Sequence, residues 1–500
     1  MKRLIALSGG AIALLLSNAP LFLFPFALVA FVPLFASGER DFRKDLLYGT
    51  LFSFPYFAFH LWWLKNLQAG QGLGIIFYGA IFILFLIKAL AFGLWFSVST
   101  RLSTPMQVGL SYAIYEWILE HLGDLGFPWA SLHYSTLGFL PFAQTASLLG
   151  PYFISFLIIA FNYSLYRFLI SRNRRNLTGI WIYASILLLL SIFGYSYMKQ
   201  PDSTERSIRV AVVQPNVLPR FEYDPREWRE TETAFQELAD TLSKLQYDVA
   251  IFSESAIIGM LNYEQNREIL SEFLKKTGRP LILGSTRMEV LESNEKRFYN
   301  TAFLIDTALN ILDFYDKVRI VPFGENLPFY EFLPPFIRNL QLGQGDYSRG
   351  KFLKPIDFNG VKIGILICYE SIFPSLARQL VLNGAQMLAV ITNDGWFGRS
   401  LGPLEHFHFS RLRAIETGRY LVRSAKTGIS AVIDDNGRVI EMLPQFTRGV
   451  LVADVPLMER MTLYDILGES WMVLLFLIII ANAVFESYTR GKNPPDDKTD

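Results

Sequence analysis

Up to about residue 199 the chain is a succession of long apolar runs, each close to the roughly 20 residues that a helix needs to cross a bilayer. The runs lie at about 3–19, 20–37, 45–64, 72–96, 106–122, 150–170 and 178–197, and an eighth, at 471–485, follows a long polar stretch. The pattern predicts eight transmembrane helices. The first run opens with Lys2 and Arg3 in the manner of a signal peptide. It lacks a convincing small-residue cleavage pattern and further spans follow at once, so it is expected to be retained.

From Ile208 the periodicity changes. Short β-branched runs at 208–214, 249–252, 281–284, 301–305, 361–367, 387–392, 420–423, 430–433 and 449–453 predict strands. Polar stretches at 225–245 and 263–276 predict helices between them, and the whole has the texture of an α/β domain. The chain divides accordingly into a membrane domain at 1–199, an α/β domain at 200–465, an eighth span at 466–489 and a charged tail at 490–500.

Composition is consistent with two such units, since 51% hydrophobic residues is too apolar for an ordinary soluble protein of 500 residues. The net charge of +1 leaves no basic excess for a nucleic-acid-binding surface. Local charge is more telling. Lys2 and Arg3, then Arg40, Arg43 and Lys44, then Arg101, then Arg167, Arg172, Arg174 and Arg175, and finally Arg490, Lys492 and Lys498 fall in every second loop. The positive-inside rule assigns those loops to the cytoplasm, so residues 200–465 are expected to face outward, toward the periplasm of a diderm bacterium. Two ionisable residues interrupt or border the apolar runs. Lys88 is expected to snorkel to the cytoplasmic surface and Glu116 to hydrogen-bond between helices. The aromatic, proline-broken stretch Gly126 to Gly138 is expected to lie along the outer membrane interface.

The single cysteine, Cys368, ends the apolar run 361–367 and leaves no possibility of an internal disulfide. At a strand end ahead of a turn its thiolate can be stabilised for nucleophilic attack; the plainer alternative is a small buried hydrophobe. Glu254 ends another strand run, where a general base could stand. Lys317 precedes Glu325 by eight residues, across Pro322 and Gly324. Taken singly each signal is weak, because a Glu or Lys on a loop is ordinarily just solvated.

In this order, Glu254, Lys317 and Cys368 resemble the Glu-Lys-Cys triad of the nitrilase superfamily. The spans narrow the match. With Gly126-Phe127-Pro128-Trp129, Glu254-Ser255-Ala256, Val321-Pro322-Phe323-Gly324-Glu325, Cys368-Tyr369-Glu370 and Asn393-Asp394-Gly395-Trp396-Phe397-Gly398, the whole chain resembles the apolipoprotein N-acyltransferases, the membrane-bound branch of that superfamily. The resemblance implies an eight-span α-helical membrane domain with a nitrilase-like αββα sandwich inserted before the last span, in the bacterial inner membrane. It implies transfer of a fatty acyl chain from a phospholipid, with phosphatidylethanolamine the expected donor, to the α-amino group of the diacylglyceryl-cysteine of an apolipoprotein. Transfer would run through a thioester on Cys368, with Glu254 as base and Lys317 as oxyanion donor. Glu325, Tyr369 and Glu370 would support them, and Trp396 and Phe397 would line a lipid groove or else be core aromatics. No cofactor and no metal are implied, and His406 and His408 lack a third ligand at suitable spacing.

Four positions depart from the family's usual pattern. Phe252-Ser253 stands where Trp-Pro is frequent before the Glu, Glu405 stands where a Gln often precedes the histidine, and Lys426 stands where an Asn is common. None touches the triad. A membrane-tethered amidase using water as acceptor would share the triad, whereas a non-catalytic receptor would have no need to keep Glu, Lys and Cys together.

Overall fold

The computed structural model describes all residues except 68–73, 201–203, 205, 221–223, 328–345 and 493–500. The start of the expected span at 72 and the tail residue Lys498 therefore lie outside the described residues. The long helices of the first unit are Lys2–Ser17, Phe42–His60, Gly74–Ser99, Pro105–Glu120, Pro151–Ile170 and Arg174–Tyr197. Their starts are set locally. Asp41 and Asn173 accept hydrogen bonds from the N–H groups of Lys44 and Asn176, and Thr104 with Gln107 closes a capping box ahead of Pro105.

The run 20–37 is not the single helix its hydropathy suggests. Prolines divide it into a 3-10 turn, Phe24–Leu28, and a short helix, Val32–Ser37, with Pro25 and Pro33 in their first turns. Among the described residues, Phe77–Ser99, Pro151–Ile170 and Arg174–Tyr197 are long and apolar enough to cross a membrane. Helix Phe42–His60 packs tightly on Gly74–Ser99 because two glycines meet there. A Cβ on Gly49 would lie 2.8 Å from the Cα of Gly93, and one on Gly93 would lie 2.5 Å from the carbonyl oxygen of Leu46.

The second unit is built on strands β1 (Ser207–Gln214), β2 (Val249–Ile251), β3 (Leu281–Val290), β4 (Lys296–Ile305), β5 (Ile311–Asp316) and β6 (Ile356–Phe358). It continues with β7 (Val361–Ile367), β8 (Met387–Thr392), β9 (Leu421–Ala425), β10 (Ser430–Ile433), β11 (Val439–Leu443) and β12 (Gly449–Pro456). They form two six-stranded sheets, ordered β12-β1-β2-β3-β4-β5 and β11-β10-β9-β8-β7-β6. In each, a parallel trio, β1-β2-β3 or β7-β8-β9, is flanked by antiparallel neighbours.

The sheets face each other through Val210, Val212, Ile251, Ile363, Ile365 and Ile367. Helices Pro225–Leu242 and Glu264–Thr277 cover the first sheet with Phe235, Leu238 and Phe273. Helices Pro374–Leu382 and Gly402–Thr417 cover the second with Leu380, Phe407 and Ala414. The expected α/β sandwich is present. Helix Gly402–Thr417 is buried on its other side as well, where Phe409, Leu412 and Ile415 join the core of the membrane helices. One continuous apolar core thus links the two units and fixes the sandwich over the helices.

Candidate active site

Cys368 follows the last residue of β7 and turns the chain into the 3-10 segment Cys368–Ile372. Its φ of +51° is a left-handed conformation that a side chain rarely adopts, and Ser255, just after Glu254, has φ of +49°. Such strain persists only where surrounding bonds hold it. Here the Ser371 hydroxyl donates to the Cys368 carbonyl at 2.8 Å, and His406 Nε2 lies 3.0 Å from the same oxygen. His406 is itself fixed by Asp394 at 2.8 Å, and Asp394 is paired with Arg423 at 2.7 Å. Burial alone would raise the Asp394 carboxyl, but Arg423 and His406 hold it down at about 2.

Glu254, just beyond β2, and Lys317, just beyond β5, are both buried. The Lys317 ammonium lies 2.9 Å from Glu325 Oε1 and 3.4 Å from Glu254 Oε1. Asn300, on β4, donates to the same two oxygens at 2.8 Å and 2.7 Å, and the Asn393 N–H donates to Glu254 Oε2 at 2.9 Å. Burial would drain the lysine's charge, yet Glu325 and Glu254 more than offset it and hold the ammonium above the ordinary lysine range. For Cys368, burial and then the Glu254 charge push the thiol up, with Lys317 opposing them. The resting thiol is therefore protonated.

Glu370 braces both loops. It accepts from Tyr315 OH at 2.8 Å, from the N–H groups of Val318 and Arg319 beside Lys317, and from the Ile367 N–H beside Cys368. Burial pushes its carboxyl up to about 7 despite these donors. Tyr369 reaches the other way, its hydroxyl donating to the Gly126 carbonyl at 2.6 Å. Phe397 is 8% exposed and packs on Trp63, with ring centroids 4.4 Å apart, and Trp396 is partly buried against the same core. These two aromatics stand where the units join.

Several expectations change in the structure. Lys88 does not snorkel; its Nζ donates to the carbonyls of Phe127 and Trp129 at 2.8 Å and 3.0 Å. The stretch Gly126 to Gly138 is mostly buried beneath the sandwich, with Trp129 Nε1 donating to Glu405 at 2.6 Å. Glu116 does hydrogen-bond internally, accepting from the Leu132 N–H at 2.6 Å. His406 is taken up by Asp394 and Cys368, and His408 by Arg411 at 3.2 Å and the ring of Phe22. Asn300 and Glu120 escaped sequence reasoning altogether. Glu120 accepts from the Ser375 backbone at 3.1 Å and from Tyr152, and its own carbonyl accepts from Arg319 at 3.2 Å.

A family model described as "Apolipoprotein N-acyltransferase N-terminal domain" matches residues 10–164, and one described as "Carbon-nitrogen hydrolase" matches residues 209–462. The apolipoprotein N-acyltransferase of Geobacter metallireducens is 30% identical over 486 residues, covering 92% of this chain and 91% of that protein. The one from Bradyrhizobium diazoefficiens is 32% identical over 519 aligned positions, covering 97% and 94%. A carbon-nitrogen hydrolase from Helicobacter pylori superposes with a TM-score of 0.38 at 16% identity, covering 50% of this chain and 89% of that one. The chain belongs to the apolipoprotein N-acyltransferase family.

Proposed function

We propose that the enzyme moves an acyl chain from a phospholipid to the α-amino group of a diacylglyceryl-cysteine at an apolipoprotein N-terminus, by two half-reactions through Cys368. In the first, Glu254 takes the thiol proton as sulfur attacks the ester carbonyl; the thioester forms and the lyso-phospholipid alkoxide leaves with that proton. In the second, the lipoprotein amine attacks the thioester, Glu254 takes its proton, and the amide forms as the thiol is restored. Because burial keeps the resting thiol protonated, ionisation has to be coupled to attack, which gives the neighbouring carboxylate its task. Lys317 spends two N–H groups on Glu325 and Glu254, leaving the third for the oxyanion in both halves, a role typically worth about 3 kcal/mol per donor.

The observation that carries this reading is the buried Glu254–Lys317–Glu325 cluster beside a strained cysteine whose next residue is bonded to the membrane unit. The reading includes eight spans with the sandwich inserted before the last, a division at 1–199, 200–465, 466–489 and 490–500, and a periplasmic sandwich. Phosphatidylethanolamine is the donor in this reading, and Trp396 and Phe397 border the path of its chains. Incubating the purified protein with acyl-labelled phospholipid should place a hydroxylamine-labile label on Cys368 and none on Cys368→Ala. Cys368→Ser should be nearly as inactive, since a hydroxyl is far harder to ionise. Substantial transfer by either variant would falsify covalent catalysis here.

A further inference from the structure

Lys88 lies within helix Gly74–Ser99, is 4% exposed, and has no carboxylate in ion-pair contact among the described residues. An amine placed so deep in an apolar unit is costly unless its protons are met by fixed acceptors. Those acceptors are main-chain carbonyls, of Phe127 and Trp129, while the rings of Phe127 and Phe57 lie 4.9 Å and 5.3 Å from Nζ. Both carbonyls belong to the segment whose Gly126 carbonyl accepts from Tyr369, the residue after Cys368.

Two routes lead from that segment to Cys368. On one side the Gly126 carbonyl receives the hydroxyl of Tyr369, the residue after the cysteine. On the other, Trp129 Nε1 donates to Glu405, which also pairs with His60, and the adjacent His406 meets the Cys368 carbonyl. The cysteine's left-handed turn is thus held from both flanks by a short stretch of irregular backbone. Irregular backbone has no helical ladder to fix it, so side chains do: Tyr56 donates to the Ala130 carbonyl, Glu116 accepts from the Leu132 N–H, and Lys88 holds the carbonyls of Phe127 and Trp129, on either side of Pro128.

We propose that Lys88 is a positioning residue for Cys368: by pinning the carbonyls of Phe127 and Trp129 it sets, through Tyr369 and through Glu405 and His406, where the nucleophile stands. The inference rests on Cys368 being the nucleophile. It acts at a distance from the reacting atoms, so its signature is a slower chemical step with unaltered phospholipid binding.

The test uses the full chain in vesicles containing acyl-labelled phosphatidylethanolamine and follows the rate of thioester formation per folded molecule. Lys88→Met keeps the length and loses the donors; it should slow the step on the order of a hundredfold, as a small misplacement of a reacting group does, with the half-saturating lipid concentration unchanged. Lys88→Arg retains donors and should recover most of the rate. A rate per folded Lys88→Met molecule equal to that of the unaltered protein overturns the proposal, as does Lys88→Arg being no faster than Lys88→Met. Should Lys88→Met not fold, Lys88→Gln, whose shorter amide cannot reach both carbonyls, decides: a slower step at unchanged half-saturation supports the proposal and an unchanged rate overturns it. Failure of the unaltered protein to label Cys368 would instead overturn the acyl-transfer reading itself.

Discussion

At the scale of single residues, the roles proposed for Glu254 and Lys317 separate by pH. Removing the carboxylate in Glu254→Gln takes away both the proposed base and a charge that raises the thiol, so alkaline solution should partly restore labelling of Cys368. Lys317→Ala should stay inactive at every pH, because no amount of thiolate replaces a missing positive charge facing the oxyanion. Labelling across a pH series reads both, and alkaline rescue of Lys317→Ala alone would reverse the assignment. Asp394 offers a second pH test. Its carboxyl sits at about 2 in the folded protein against an ordinary 3.8, so its contribution to stability is complete above the ordinary value and is lost as pH falls toward 2. Asp394→Asn should flatten the acid limb of thermal stability over that window. That Glu254, Lys317 and Cys368 would be brought together was legible because each sits in a short motif at a strand end. Asn300 was not, since a lone asparagine within β4 reads as any polar strand position until the fold brings Glu254 and Glu325 to it. Lys88 was misread for a related reason. Snorkelling is argued from one helix alone, and the carbonyls that hold it arrive from another segment.

At the scale of elements, strands with both faces covered announced themselves as β-branched runs, as β7 and β8 do with nearly every side chain buried. The strands that escaped, β5, β6 and β11, stand at or beside sheet edges; β5 and β11 are largely exposed and β6 is three residues long. Hydropathy likewise merged Phe24–Leu28 and Val32–Ser37 into one span, because it averages over prolines that the backbone cannot ignore. Among the helices, the contact of Gly49 with Gly93 is an exacting one. A methyl on Gly93 would meet the Leu46 carbonyl and the Thr50 hydroxyl, both at 2.5 Å, and backbone cannot step aside as a flexible side chain can. Gly93→Ala should cost about 1–3 kcal/mol, read as a lower unfolding midpoint in detergent. A midpoint equal to that of the unaltered protein would show that the helix pair has slack.

For the whole molecule, orientation is the testable quantity. A phosphatase fused near Asn294, in the exposed turn between β3 and β4, should be active, and one fused at the C-terminus inactive. The reverse pattern would place the sandwich in the cytoplasm and end the proposed reaction with periplasmic lipoproteins. The core shared between the two units also bears on handling. Freed from the helices, the sandwich would offer Phe397, Phe409, Leu412 and Ile415 to water, each forfeiting about 1.5–3 kcal/mol of burial. It is not a detachable head. A laboratory seeking a water-borne fragment for inhibitor screening would have to redesign that face in polar letters, and the redesigned fragment would have surrendered the floor on which its cysteine stands.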